Sequence, residues 1–242
     1  MPLSLERGRR VSALALSCLE GRQELAEVWI KHTLAEGYGE GIVASEDLRE
    51  TAYAVFELLL RSIAGKDVTA ETKRVSERIG RRRAAQGVPL DSLLAAARMD
   101  AQVLWNALLS RATQDDFPEL LASAPLVWEV VERHTLRIMD AYQETVLEQR
   151  RKVDDERRSA FDQLIQTGGR HPATVLMAAQ VLSLDPQGQF SVVIADRRSA
   201  GGLRRVVERL NVRGIPTHTQ ELSSNQVPVS YTHLTLPTIY SV

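Results

Sequence analysis

The chain has 242 residues, 44% of them hydrophobic and 25% charged, with 30 basic and 31 acidic side chains for a net charge of −1. That length holds one large or two modest domains with a buried core, and the near-neutral balance gives no pull toward nucleic acid or an anionic membrane. One cysteine excludes an internal disulfide framework, and no apolar run approaches the ~20 residues that span a bilayer, so a cytoplasmic protein is expected.

Val11, Leu14, Ala15, Cys18 and Leu19 recur at helical spacing, so a first helix buries that stripe and its thiol and stops at Gly21. Leu25, Val28, Trp29 and His32 form a second stripe, ended by the glycines of residues 37–41. Ser45 is placed to cap a third helix, with Glu46 and Asp47 in the first turn where the helix dipole favours acid. Its stripe of Leu48, Ala52, Val55, Phe56, Leu59, Leu60 and Ile63 is the strongest in the chain. Thr69 is placed to cap a more polar helix, which Gly87 stops. Pro89 suits the start of the next, where Leu90, Leu93, Leu94, Ala97, Ala101, Leu104 and Leu108 share one face. A short helix follows over residues 117–121. Residues 1–122 therefore predict a helical bundle.

Residues 126–167 contain neither Gly nor Pro, which allows one helix of about 40 residues, roughly 60 Å long at 1.5 Å per residue. Its first half, with Val127, Val130, Val131, Ile138, Met139 and Tyr142, is apolar enough to complete the bundle. Residues 144–158 carry ten charges in fifteen positions, five of each sign, which suits a solvated connector. Met139, Val146, Val153 and Ala160 nevertheless recur every seven residues, half of a heptad seam, so a weak homodimer contact is expected along them. Residues 123–168 thus form the long linking helix. After the break at Gly168-Gly169 a further helix is expected over residues 172–184, then a β-branched strand over residues 190–195. Gly201-Gly202 leads into a helix bearing Leu203, Val206, Val207 and Leu210, and a second strand begins near Gly214. Residues 169–228 read as the beginning of an α/β domain.

No catalytic constellation is visible, and neither an enzyme, a cofactor nor a metal site is expected. The five histidines are scattered, and none stands in a metal-ligand spacing. His134 and His32 each share a helical face with apolar residues, so both are expected in the core or at an interface. Gly201-Gly202 lacks the spacing of a phosphate-binding loop. Residues 77–99 have the outline of a helix-turn-helix, but Leu90, Leu93 and Leu94 with three alanines cover most of the second helix, which must pack rather than read bases. Arg81-Arg82-Arg83 would touch phosphate at most.

Residues 82–96, around Gly87, Val88, Pro89, Leu90, Leu93 and Leu94, followed by Leu104 and Trp105, resemble the N-terminal helical domain of PucR/CdaR-like transcriptional regulators. That domain is similar to the RsbR-type sensor domain of stressosome proteins, which the resemblance implies to be a globin-like helical bundle without haem. The charged helix and the strand that follows resemble the passage into a degenerate GGDEF-like middle domain. The resemblance implies a sensory and dimerising N-terminal region, an unknown small-molecule or protein effector, and DNA contact only through a C-terminal helix-turn-helix that these residues lack. The alternative it implies is a stressosome-like scaffold acting through protein contacts.

Residues 229–242 differ from the rest: they hold no Asp, Glu, Lys, Arg or Ala. Residues 229–238 resemble one reading frame of the transposon-end adapter used in sequencing libraries, so the natural sequence is expected to be interrupted near Pro228, with a non-native tail beyond.

Overall fold

A computed structural model of the chain describes residues 3–39, 41–185, 190–194, 200–215, 217–221 and 228–233. It divides into two units, Met1–Gln149 and Arg150–Val242. The first holds α1 (Leu3–Glu20), α2 (Arg22–Ala35), α3 (Ser45–Ile63), α4 (Thr69–Gln86), α5 (Leu90–Arg111), α6 (Phe117–Ala122) and most of α7 (Ala124–Thr167). The protein is mainly helical, as its periodicity predicts.

The strong stripe of α3 makes it the centre of the first unit. Leu48, Ala52, Val55, Phe56, Leu59, Leu60 and Ile63 are all buried, and α3 packs against α1, α2, α4 and α5. Val11, Leu14, Ala15 and Cys18 of α1 enter the same core with Leu93, Leu104 and Leu108 of α5. The inward face of α7 closes it with Val127, Val130, Val131 and Ile138. Gly87 ends α4 in the left-handed region, at φ 76°. The N–H of Val88 then returns to the carbonyl of Arg83 at 3.1 Å, a closure that favours a residue without Cβ at the turn.

Several local expectations are corrected. The buried face of α2 is Leu25, Ala26, Trp29, Ile30 and Thr33, while Val28 and His32 are exposed. Leu25, Trp29 and Ile30, the largest apolar side chains of that face, turn inward with Ala26 and Thr33 and leave Val28 on the opposite side. His32 is therefore not a core histidine; its ring instead bonds the carbonyl of Val28 at 2.7 Å. Ser45 is the first residue of α3 and makes no capping hydrogen bond, since Ala44 holds the cap position. Thr69 does not cap α4 either; its N–H donates to Asp67 Oδ1 at 3.2 Å.

In the second unit, Phe161 and Leu164 of α7 form a small core with Ala178, Ala179, Leu182 and Leu184, the first three of which lie on α8 (Pro172–Leu182). Beyond it come β1 (Phe190–Ile194), α9 (Ala200–Val212), β2 (Thr217–Glu221) and β3 (Pro228–His233). The sheet order is β1-β3-β2, with β3 antiparallel to both neighbours and Tyr231 opposite Val192 and His218. β1, α9 and β2 thus form a split β-α-β unit with a strand between the parallel pair. Five residues of the adapter-like stretch, 229–233, fall in that central strand. Residues 234–242 and Ala195 lie outside the described residues.

Candidate functional site

The buried face of α4 is Thr72, Ser76, Ile79, Gly80, Arg83 and Ala84, small or polar residues where a core helix ordinarily carries large apolar ones. Gly80 explains the choice. A Cβ there would meet the carbonyl oxygen of Ile138, the N of Tyr142 at 2.9 Å and the Cβ of Ala141 at 3.0 Å. The α4 and α7 backbones therefore nearly touch, and only glycine fits at the crossing. One turn to one side, Ser76 meets His134; to the other, the Tyr142 hydroxyl donates to the carbonyl of Val88 at 2.8 Å.

Ser76 Oγ has one proton and lies 2.6 Å from the Thr72 carbonyl, to which it donates. It must then accept from His134 Nδ1, 2.8 Å away, which puts the imidazole proton on Nδ1 and leaves the Nε2 lone pair free. Nε2 is 4.0 Å from Asp100 Oδ2, too far for a direct hydrogen bond. His134 and Asp100 are 2% and 5% exposed. Burial, helped by the charge of Arg137, lowers the His134 pKa to about 4. Burial raises that of Asp100 well above the usual carboxylate value, against the pull of the Trp29 indole N–H. Both groups are shifted toward their neutral forms, so burial disfavours an ion pair between them.

The two groups line one cavity with Trp29, Tyr38, Arg83 and Ile138. Its volume of about 30 Å³ admits a water molecule and is far below the several hundred Å³ of an ordinary organic-ligand pocket. On its other wall, Arg83 is 1% exposed and wholly committed. Its guanidinium donates to Asp47 Oδ2 at 2.6 Å, Gln86 Oε1 at 2.8 Å and the Tyr38 hydroxyl at 3.1 Å. Burial would raise the Asp47 pKa, but Arg83, Gln86 and Arg82 outweigh it and hold the carboxylate below its usual range. Burial raises the Tyr38 hydroxyl despite the charge of Arg83. The arginine expected to touch phosphate from the surface is thus an interior cation; of that triplet, Arg81 and Arg82 alone face solvent.

Polar groups from α2, α3, α4, α5 and α7, with Tyr38 of the α2–α3 turn, therefore converge on one small space. Ser76 gives its proton to the Thr72 carbonyl and accepts from His134, so the two are not arranged as a nucleophile and its base. The arrangement can hold a proton or a small polar molecule and tie its occupancy to the packing of three helices. Among the described residues there is no group of three or more His, Cys, Asp or Glu able to hold a metal, and no helix long and apolar enough to cross a membrane.

Of the motif residues, Leu93 lines the cavity and the others stand around it. Gly87 is the turn, Pro89 stands before α5, Val88, Leu93 and Leu104 are buried, and Leu90, Leu94 and Trp105 are half-buried. Of the heptad positions, Met139 and Val146 are half-buried and Val153 is exposed. Ala160 packs against the second unit's small core. Sequence reasoning missed Asp100, Asp47, Arg83, Tyr38, Ser76 and Gly80. For Asp100 a signal was present: it falls at helical spacing between Leu93, Ala97 and Leu104, a core position holding an acid.

Residues 23–157 match the family model of the RsbT co-antagonist protein rsbRD N-terminal domain, over more than half of the chain. The match runs from the start of α2 into the charged part of α7 and contains every residue of the cavity. No curated protein and no solved structure matches the chain.

Proposed function

The chain belongs to the family of the RsbT co-antagonist protein rsbRD N-terminal domain, and from that premise we propose that its helical unit is a sensory module whose output leaves through α7. The observation that carries this reading is the position of His134. It stands over the cavity on the inward face of the same helix that continues past Gln149 to Thr167. Two packings of α4 against α7, biased by what the cavity holds, suffice for a sensor. A coupling of about 1–3 kcal/mol regulates, and one buried hydrogen bond made or lost is of that order.

In the finer reading the module serves a cytoplasmic, non-enzymatic PucR/CdaR-like regulator. It dimerises along Met139, Val146 and Val153, and DNA is read by a helix-turn-helix outside these residues. Support comes from the motif around Gly87 and from the split β-α-β unit, which suits the start of a GGDEF-like domain. The second reading, a signalling scaffold, is favoured by the family's name, which defines its member by a protein partner. Sequencing the gene beyond codon 228 from genomic template separates the two, by finding a helix-turn-helix or a phospho-acceptor domain.

The sensory reading is tested by amide hydrogen exchange on the full chain carrying Gly80→Ala, with Ser76→Ala as the milder variant. Altered exchange in residues 150–160 is expected. A loosened α4–α7 crossing with unchanged exchange there would refute it. Sedimentation of Val153→Asp tests the dimer, since an exposed valine outside the seam leaves association unchanged.

A further inference from the structure

Two buried polar groups face each other across the cavity without touching. Ser76 donates to the Thr72 carbonyl and accepts from His134 Nδ1, so the Nε2 lone pair on the other side of the ring needs a donor of its own. Among the described residues none supplies it. Asp100 Oδ2 stands 4.0 Å from Nε2, too far for a hydrogen bond. The Trp29 indole N–H is turned to the Asp100 carboxyl, but it is shared with the Ala96 carbonyl at 3.1 Å. Keeping either group away from water with its bonds unmade is costly.

The gap has the dimensions of one water molecule. Two hydrogen bonds of about 2.8 Å that meet at a single oxygen span roughly 4.0–4.5 Å. The cavity that both residues line measures about 30 Å³, which is about the share of one water in the liquid. Tyr38 lines it too; its hydroxyl accepts from Arg83 Nε and keeps its own proton to give. That makes a third partner, of the about two to four that a buried water takes. We propose that this cavity is a site for one long-lived water, which donates to His134 Nε2 and bonds the Asp100 carboxyl group on its other side, joining α5 to α7. Water meets that carboxyl in either protonation state, accepting from the acid or donating to the carboxylate. Ammonium is of similar size but can only donate, and it would need the charged carboxylate that burial disfavours. The site deepens the sensory reading and rests on it for its consequence. Direct bonds hold α7 to α4 at Ser76 and to the Val88 carbonyl, whereas Asp100 reaches it through a molecule that exchanges with solvent. Gain or loss of that water is then the change that α7 transmits.

NMR on the full chain tests the site. Nuclear Overhauser contacts are expected from a long-lived water to the His134 ring and to the methyl groups of Ala97 and Ile138, which line the cavity, with the ring protonated on Nδ1. Asp100→Leu puts methyl groups where the carboxyl and its water stand, so the contacts should be lost while helical circular dichroism is kept. Ammonium chloride up to ~10 mM should leave the His134 ring shifts where the same concentration of sodium chloride leaves them. No water contact at the ring of the unsubstituted chain, a ring protonated on Nε2, contacts that survive in folded Asp100→Leu, or a saturable shift specific to ammonium would each overturn the proposal. The unsubstituted chain decides by itself if Asp100→Leu does not fold. The sensory reading fails separately: water contacts at the ring, together with unchanged hydrogen exchange at residues 150–160 in Gly80→Ala, would uphold the site and refute only its transmission through α7.

Discussion

Replacing His134 by asparagine isolates one proton in the folding equilibrium. The His134 pKa falls from 6.5 to about 4 on folding, so between those values the unfolded chain takes up a proton that the folded chain refuses. Stability supplied by the neutral imidazole is complete above pH 6.5 and is lost as pH falls toward 4. A depression of about 2.5 units at 1.36 kcal/mol each makes that loss about 3 kcal/mol. Asp100 acts with the opposite sign. Its pKa is raised on folding, so its contribution is present below the unfolded value of 3.8 and is lost as pH rises through the folded one. The two partly cancel in the natural protein. Asparagine keeps a donor for Ser76 and never titrates, so its packing cost is a constant offset and only the histidine limb disappears. Urea midpoints of both proteins from pH 4 to 7.5, at fixed ionic strength, give the difference directly. The advantage of the natural protein should shrink by about 3 kcal/mol from pH 6.5 to 4. Parallel curves would show that His134 does not resist protonation. An advantage growing on acidification would mean a charged imidazole paired with Asp100, and would refute the neutral pair.

Arg83→Met should cost about 3–5 kcal/mol, because it strands buried Asp47 with Arg82 as its one remaining cation; thermal melting at pH 7 measures it, and a loss under 1 kcal/mol would mean the pair is dispensable. In that variant part of the destabilisation should vanish as pH drops and Asp47 protonates, since a depressed carboxylate pKa stabilises only above its unfolded value. Deleting residues 229–242 removes most of β3, which pairs with both other strands. The sheet signal should disappear from circular dichroism while the melting temperature of the helical unit stays unchanged; a marked drop would mean that this stretch supports the bundle.

The fold was legible where apolar residues set the period. The stripes of α1, α3 and α5, the stop at Gly87 and the unbroken α7 follow from local spacing and turn chemistry alone. The site was not, because its stripe is polar. Thr72, Ser76, Ile79, Gly80 and Arg83 recur at helical spacing as faithfully as the leucines of α3. A periodicity argument nonetheless assigns serine, threonine and arginine to solvent. What buries them is distant: Asp47 lies 36 residues before Arg83, and His134 lies 58 residues after Ser76. Two weak indications were available, the acid at position 100 in an apolar face and the glycine at position 80 within a helix.

The crossing of α4 and α7 explains how so small a cavity can matter. His134, Ile138 and Tyr142 follow one another at four-residue intervals and meet Ser76, Gly80 and the carbonyl of Val88 in turn. The middle contact is backbone against backbone with no slack, so α7 cannot yield there when the Ser76–His134 bond changes. It can only tilt or slide, which strains the Tyr142 bond on the far side. Ser76 and Tyr142 should therefore be energetically coupled although their contacts on α7 lie ~12 Å apart along the helix, beyond the distance at which substitutions ordinarily add. A double-mutant cycle of Ser76→Ala and Tyr142→Phe, read by urea denaturation, should give a coupling above about 0.5 kcal/mol. Additivity within the error of the cycle would show that the crossing is a passive contact. The cavity would then have no lever through which to move α7.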